Sequence, residues 1–207
     1  MDTFDLVAER RRALADALEP LDDAQWRTPS LCEGWEVRHV AGHLQIPWAL
    51  STPRLIWAML RHRGYDAANL RLSRELGERP PATLVAGLRE HADNRRTGPG
   101  MPPESLLADV VVHTADMLVP LGMTTSAPPE TVARILDFVM SSKGSSLHPP
   151  GGVDGLRFEA TDAPWSHGDG PEVTGEGSIL AAALTGRAGV LDQLGGAGLP
   201  TFRQRFE

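Results

Sequence analysis

The most apolar long segment of the chain is ESLLADVVVHTADMLVPL, residues 104–121. Its length predicts a buried helix, although the three valines at 110–112 alone would also suit a buried strand. On a helix, Asp109 and His113 lie four residues apart and project from one face, within reach of a single ion. Asp116, three residues further on, is placed either to orient the His113 imidazole or to join a polar surface.

A second segment, residues 34–44, reads GWEVRHVAGHL and predicts a helix from about Glu36 with His43 beside its apolar stripe. Two imidazoles and a carboxylate, here His43, His113 and Asp109, would hold a divalent ion such as zinc with one position open, as in catalytic sites. Two alternatives compete with this site. Asp109 and His113 would also satisfy each other as a buried hydrogen-bonded pair, and His39 shares the helix face of His43.

The spacing of apolar residues along the rest of the sequence predicts a mainly α chain in two parts. These are a helical domain over 1–147 and a small α+β portion over 148–207. Helical spacing recurs over 4–19, 55–60 and 81–95, and again after Pro128. A Gly/Pro-rich loop is predicted over 98–103. Beyond residue 147, alternating segments at 155–162 and 172–175 predict two short paired strands, and residues 178–188 predict a helix rich in small side chains.

Composition narrows the class of protein. The chain has 207 residues, of which 41% are hydrophobic and 23% charged, with no apolar run of bilayer length and no signal-peptide pattern at its acidic start. We therefore expect a cytoplasmic protein without a membrane partner. A net charge of -7 with scattered arginines argues against nucleic acid. The single cysteine, Cys32, excludes an internal disulfide and a cysteine-rich zinc site.

Three ordered stretches resemble one known family. Residues 28–44, TPSLCEGWEVRHVAGHL, resemble the first signature of the mycothiol-dependent maleylpyruvate isomerase family of the DinB-like superfamily. Residues 109–122 resemble that family's second signature, in which a carboxylate and a histidine four apart precede an aspartate. Residues 155–173 and 184–187 resemble the C-terminal portion of many such actinobacterial proteins. The likeness spans most of the chain.

The resemblance implies a DinB-like four-helix bundle whose metal ligands are His43, Asp109 and His113, with water or a thiolate in the open position. It also implies mycothiol as a thiol co-substrate, while the ligand set itself makes zinc the expected divalent metal. The chain departs from the family pattern at two positions. His39 stands where the family usually has an acidic residue, and Asp109 stands where the best-known isomerases have glutamate.

The predicted function is that of a metal-dependent mycothiol S-transferase or thiol-dependent isomerase, in which a metal-bound thiolate attacks a small electrophile. The alternatives are a metal-dependent hydrolase that uses activated water, and a non-catalytic DinB-like binding protein. Arg38, Arg157 and Arg187 are candidates for binding a polar group of the substrate or thiol, or else surface charges. A monomer or homodimer is expected.

Overall fold

The computed structural model describes residues 1–97 and 100–207. The chain packs as two units, Met1–Met101 and Pro102–Glu207, and each is described by itself below. The predicted domain boundary between residues 147 and 148 is not tested by this division and stays a prediction. The predicted loop over 98–103 lies partly outside the described residues, which do not include 98 and 99.

The first unit is helical. Its helices are α1 Thr3–Leu18, α2 Asp23–Trp26, α3 Val37–His43, α4 Ile46–Ala49, α5 Thr52–His62, α6 Tyr65–Gly77 and α7 Pro81–Glu90. The helices predicted over 4–19, from Glu36, over 55–60 and over 81–95 correspond to α1, α3, α5 and α7, whereas α6 was not predicted. Apolar side chains at helical spacing explain the packing of α1 against α7, because Leu6, Leu14, Leu84 and Leu88 are all buried.

Two glycines let α3 and α6 approach closely. A methyl group on Gly42 would overlap the Gly77 amide nitrogen and the Ser73 carbonyl oxygen, and one on Gly77 would lie 2.6 Å from the Arg38 carbonyl oxygen. Only hydrogen fits at these two positions, so the two backbones are in direct contact. This contact places the polar side chains of α6 beside the end of α3, where His43 lies.

We expect Gly42→Ala to lower the free energy of unfolding by about 1–3 kcal/mol, because the added methyl group forces the two helices apart. Chemical denaturation followed by circular dichroism measures this change. Ala67→Val, which enlarges an exposed side chain of the facing helix α6, is the control and should cost at most about 0.7 kcal/mol, the difference in helix propensity. Equal effects of the two substitutions would contradict the close approach.

The second unit begins with α8 Pro103–Leu118, followed by a 3-10 helix at Val119–Leu121 and by α9 Pro129–Met140. The three valines at 110–112 lie within α8, so the helix prediction over 104–121 is confirmed and the strand alternative is wrong. Pro103 occupies the first turn of α8, where a missing amide hydrogen breaks no helical hydrogen bond.

A small three-stranded sheet follows, made of β1 Arg157–Ala160, β2 Ser166–His167 and β3 Glu172–Gly175 in the order β2-β1-β3. β1 pairs antiparallel with β2 and parallel with β3, with Arg157 opposite Glu172. The strands predicted over 155–162 and 172–175 are thus confirmed, whereas β2 lies in a predicted loop. Helix α10, Gly177–Leu184, is buried along its whole length, and α11 is Leu199–Arg203.

The prediction of a mainly α chain with a small α+β C-terminal portion is confirmed. Over residues 1–97 and 100–207, no helix is both long and apolar enough to cross a membrane.

Candidate metal centre

His43 is the last residue of α3, and α6 fixes its imidazole. The His43 Nδ1 atom lies 2.9 Å from the Asn69 side-chain oxygen and 3.4 Å from the Ser73 hydroxyl. An amide oxygen only accepts hydrogen bonds, so Nδ1 carries the proton and the lone pair of the ring resides on Nε2. The Trp35 ring packs beside the imidazole at 5.7 Å between centroids. His43 therefore has the tautomer and the fixed orientation that a metal ligand needs.

Asp109 and His113 lie one turn apart on α8, as the spacing predicts. The His113 Nε2 atom lies 3.4 Å from an Asp109 carboxylate oxygen, and its Nδ1 atom lies 2.8 Å from an Asp116 carboxylate oxygen. A neutral imidazole donates only one hydrogen bond, so it cannot satisfy both carboxylates. A second proton or a cation on the Nε2 side resolves this conflict. The pair thus has the chemistry of a cation-binding arrangement.

Asp116 is fully buried beneath His113. Its two carboxylate oxygens accept hydrogen bonds from Arg187 Nε at 3.1 Å and from Arg187 Nη2 at 3.0 Å. Burial alone would raise the pKa of Asp116, but the hydrogen bond and charge of His113 together with the charge of Arg187 outweigh it and lower the pKa to about 2. Asp116 is therefore an anion at neutral pH and holds the Nδ1 proton of His113. The alternative of a polar surface for Asp116 is wrong.

His39 has a different role from His43. Its Nδ1 atom accepts a hydrogen bond from the Glu36 backbone amide at 3.1 Å, which closes a capping box at the start of α3. Burial and the neighbouring Arg38 charge lower the pKa of His39. The lone pair of Nδ1 is thus used within the helix, while Nε2 lies 3.7 Å from a Glu78 carboxylate oxygen. His39 caps the helix that presents His43.

The other singled-out side chains have local partners. Arg38 forms ion pairs with Glu36 and Glu78 at 2.6 and 2.7 Å. Arg157 donates to the Ser166 hydroxyl at 2.7 Å, and its side chain is 40% exposed. Cys32 is half-buried in the loop before α3, where its amide donates to the Ser30 hydroxyl at 3.2 Å. Of the three candidate arginines, Arg187 is the one whose charge meets a residue of the candidate site.

Sequence reasoning missed Asn69 and Ser73, because it assigned no helix to residues 65–77. A signal for this helix was present in the sequence, since the buried residues Ala68, Leu72 and Leu76 recur at helical spacing. Asn69 is one residue after Ala68 and Ser73 one residue after Leu72, so both lie next to this apolar stripe. A helix prediction here would have identified both as polar residues on the edge of a packed face.

A cavity of about 390 Å³ lies elsewhere in the second unit, and the candidate ligands are not among its lining residues. Its lining residues are Val119, Gly122, Met123, Thr124, Thr125, Glu176 and Gln193. Burial and the charge of Asp162 raise the pKa of Glu176.

Comparison with known proteins shows to which family the chain belongs. The model of the mycothiol maleylpyruvate isomerase N-terminal domain matches residues 7–133, more than half of the chain. The chain belongs to this family. The matched region includes His43, Asp109 and His113, so one family domain contains all three candidate ligands.

Two solved structures share the fold of this family member. The crystal structure of the mycothiol-dependent maleylpyruvate isomerase has 22% sequence identity to this chain and a TM-score of 0.55. The aligned region covers 95% of this chain and 96% of that one. A histidine-to-alanine mutant of that isomerase is also 22% identical with the same coverage, and gives a TM-score of 0.54. The chain matches none of the curated proteins. The similarity extends over nearly the full length of both chains.

Proposed function

We propose that this protein is a metal-dependent enzyme that uses mycothiol as its thiol. It either isomerises a small electrophilic substrate or joins the thiol to it as a thioether. The observation that carries the proposal is the Asp109, His113 and Asp116 array on α8, found within a family domain named for mycothiol-dependent isomerisation. His43, Asp109 and His113 are the proposed ligands. Zinc is the proposed metal, because its catalytic sites combine three such ligands with one open position.

The donor set fits a divalent ion. His43, Asp109 and His113 each offer one ligand atom of the type that zinc takes, and each is half-buried. Both imidazoles have their Nδ1 protons directed to an oxygen, Asn69 for His43 and Asp116 for His113. This arrangement, in which an acceptor oxygen fixes a ligating imidazole, is the usual support of histidine ligands in metal sites. Asp109 supplies negative charge with a shorter arm than the glutamate of the best-known isomerases.

A bound divalent ion would favour thiolate over thiol at neutral pH. The protein's own part is to hold the ligands in one protonation state. Asn69 keeps the Nδ1 proton on His43, and the ionised Asp116, which also pairs with Arg187, keeps the Nδ1 proton on His113. The Trp35 ring packs against one side of the His43 imidazole and restricts its rotation. These residues therefore position the site without exchanging protons with the substrate.

The isomerisation balances without an oxidant or reductant. The thiolate adds to a conjugated cis double bond, which forms a carbon–sulfur bond and moves the electron pair to the neighbouring carbonyl group. Rotation about the resulting single bond and loss of the thiolate give the trans isomer and regenerate the thiolate. With a substrate that carries a leaving group, the same attack gives a stable thioether and expels that group.

The test combines metal analysis with turnover. We expect the protein to take up close to one equivalent of zinc, and to convert maleylpyruvate or a chlorinated bimane only when zinc and mycothiol are both present. Protein that neither contains nor takes up a divalent ion would overturn the metal assignment. Zinc-dependent cleavage of an ester or amide without thiol would instead establish the hydrolase alternative.

Asn69→Ala should weaken zinc binding by roughly 10–100-fold, because His43 then loses the acceptor that fixes its tautomer. Competition with a chromogenic chelator measures this affinity. Asn69→Asp, which keeps an acceptor oxygen at the same place, is the matched control and should retain most of the affinity. An alanine variant with unchanged affinity would show that Asn69 does not support a ligand.

A further inference from the structure

The helix α5 presents a second apolar face that no part of the described chain covers. Its first face packs inward, where Ala58 is buried and Leu55 and Met59 lie against the cluster of Leu50, Ala68 and Leu72. On the opposite face, Ile56, Trp57 and Leu60 are 52%, 59% and 76% exposed. Leu60 is three residues after Trp57 and four after Ile56, so its side chain neighbours both on the helix surface. They form a protruding ridge, which we call the α5 ridge.

The charge around the α5 ridge is opposite in sign to that of the whole chain. Residues 51–64 contain three arginines, Arg54, Arg61 and Arg63, together with His62 and no acidic residue, whereas the chain carries a net charge of -7. The Arg61 guanidinium lies over the Trp57 ring at 5.3 Å from its centroid. Arg54 forms an ion pair with Glu75 of α6 at 2.6 Å, so the positive charge at the edge of the ridge comes from Arg61 and Arg63.

We propose that the α5 ridge docks onto an anionic lipid surface, beyond the function proposed above and independent of it. An interfacial helix combines Trp and Leu on one side with arginine around them, and its basic residues attract it to anionic headgroups. Trp57 supplies an apolar ring and Arg61 a positive charge that lies over this ring, and an interface between water and lipid favours both.

The ridge fits a lipid surface better than a second copy of the chain. A two-fold contact through α5 would bring together two copies of residues 51–64, which contain no acidic residue to pair with Arg61 and Arg63. Leu60 is the most exposed of the three, which suits insertion among acyl chains. The sequence argued against a membrane partner because no segment is long enough to cross a bilayer. Surface docking needs only one short amphipathic face.

The experiment is sedimentation of the full-length protein with vesicles of phosphatidylglycerol and phosphatidylcholine, compared with phosphatidylcholine alone. We expect binding to the anionic vesicles only, with loss at high salt. The Trp57→Ser and Leu60→Ser double variant should bind at least roughly tenfold more weakly. Leu147→Ser, at a leucine 43% exposed outside the ridge, is the matched control and should bind normally. Thermal unfolding should be unchanged in both, because the substituted side chains are exposed.

A second readout locates the contact. Brominated lipids should quench part of the tryptophan fluorescence of the unchanged protein, and this part should disappear in Trp57→Phe. The proposal is overturned if the full-length protein ignores anionic vesicles, or if the double variant binds them equally well. It is also overturned if the ridge substitutions instead abolish self-association of the chain or binding to an acidic protein.

Discussion

The His113→Ala protein is expected to bind zinc roughly a hundredfold or more weakly than the unchanged protein, and to lose nearly all thiol-dependent turnover. Removing a residue that only supports a histidine ligand lowers metal affinity by up to about 100-fold. Removing the ligand itself should lower zinc affinity by at least as much. The substitution also removes the imidazole that donates to the fully buried Asp116, which keeps its ion pair with Arg187. Isothermal titration with zinc and a bimane turnover assay measure the two effects.

His39→Ala is the control for this prediction. Both variants remove an imidazole, but His39 uses its Nδ1 atom in the capping box of α3. We expect His39→Ala to lower the free energy of unfolding by about 0.5–2 kcal/mol, the usual cost of a lost cap, while zinc affinity stays within a few-fold. Equal zinc loss in the two variants would mean that His39, and not His43, supplies the ligand on α3.

Local patterns were sufficient to predict most elements of the fold. The apolar spacing of residues 104–121 predicted α8, and with it the proximity of Asp109 to His113, because a spacing of four on a helix fixes that distance. The alternation over 155–162 predicted β1 for the same kind of reason. In both cases the periodicity within one element determines the geometry, so no distant residue needs to be known.

Contacts between distant residues were not predictable in this way. Gly42 and Gly77 meet because α3 and α6 pack backbone to backbone, and neither glycine is distinctive within its own helix. That packing is what brings Asn69 to His43. Arg187 was one of three candidate arginines, and its partner Asp116 lies 71 residues earlier in the chain. Such pairings depend on the tertiary fold, which periodicity does not encode.

Arg187→Met should lower the free energy of unfolding by about 3–5 kcal/mol, the cost of leaving a buried charge without its partner. Asp116 is fully buried and Arg187 keeps only 21% of its side chain exposed, so solvent cannot replace the lost ion pair. Arg157→Met is the control, since that side chain is 40% exposed and its ion pairs are worth at most about 1 kcal/mol. Urea denaturation compares the two variants.

The same substitution separates a structural ion pair from one that also supports the site. If Arg187 acts only on stability, the folded fraction of Arg187→Met binds zinc normally. If it also orients Asp116, the carboxylate of the variant no longer aligns with His113 Nδ1, and zinc affinity falls by roughly 10–100-fold. We expect the second result, because Arg187 and His113 share one carboxylate oxygen of Asp116 at 3.0 and 2.8 Å. Adding Asp116→Asn to Arg187→Met removes the unpaired charge, so it should restore part of the stability while zinc binding stays weak.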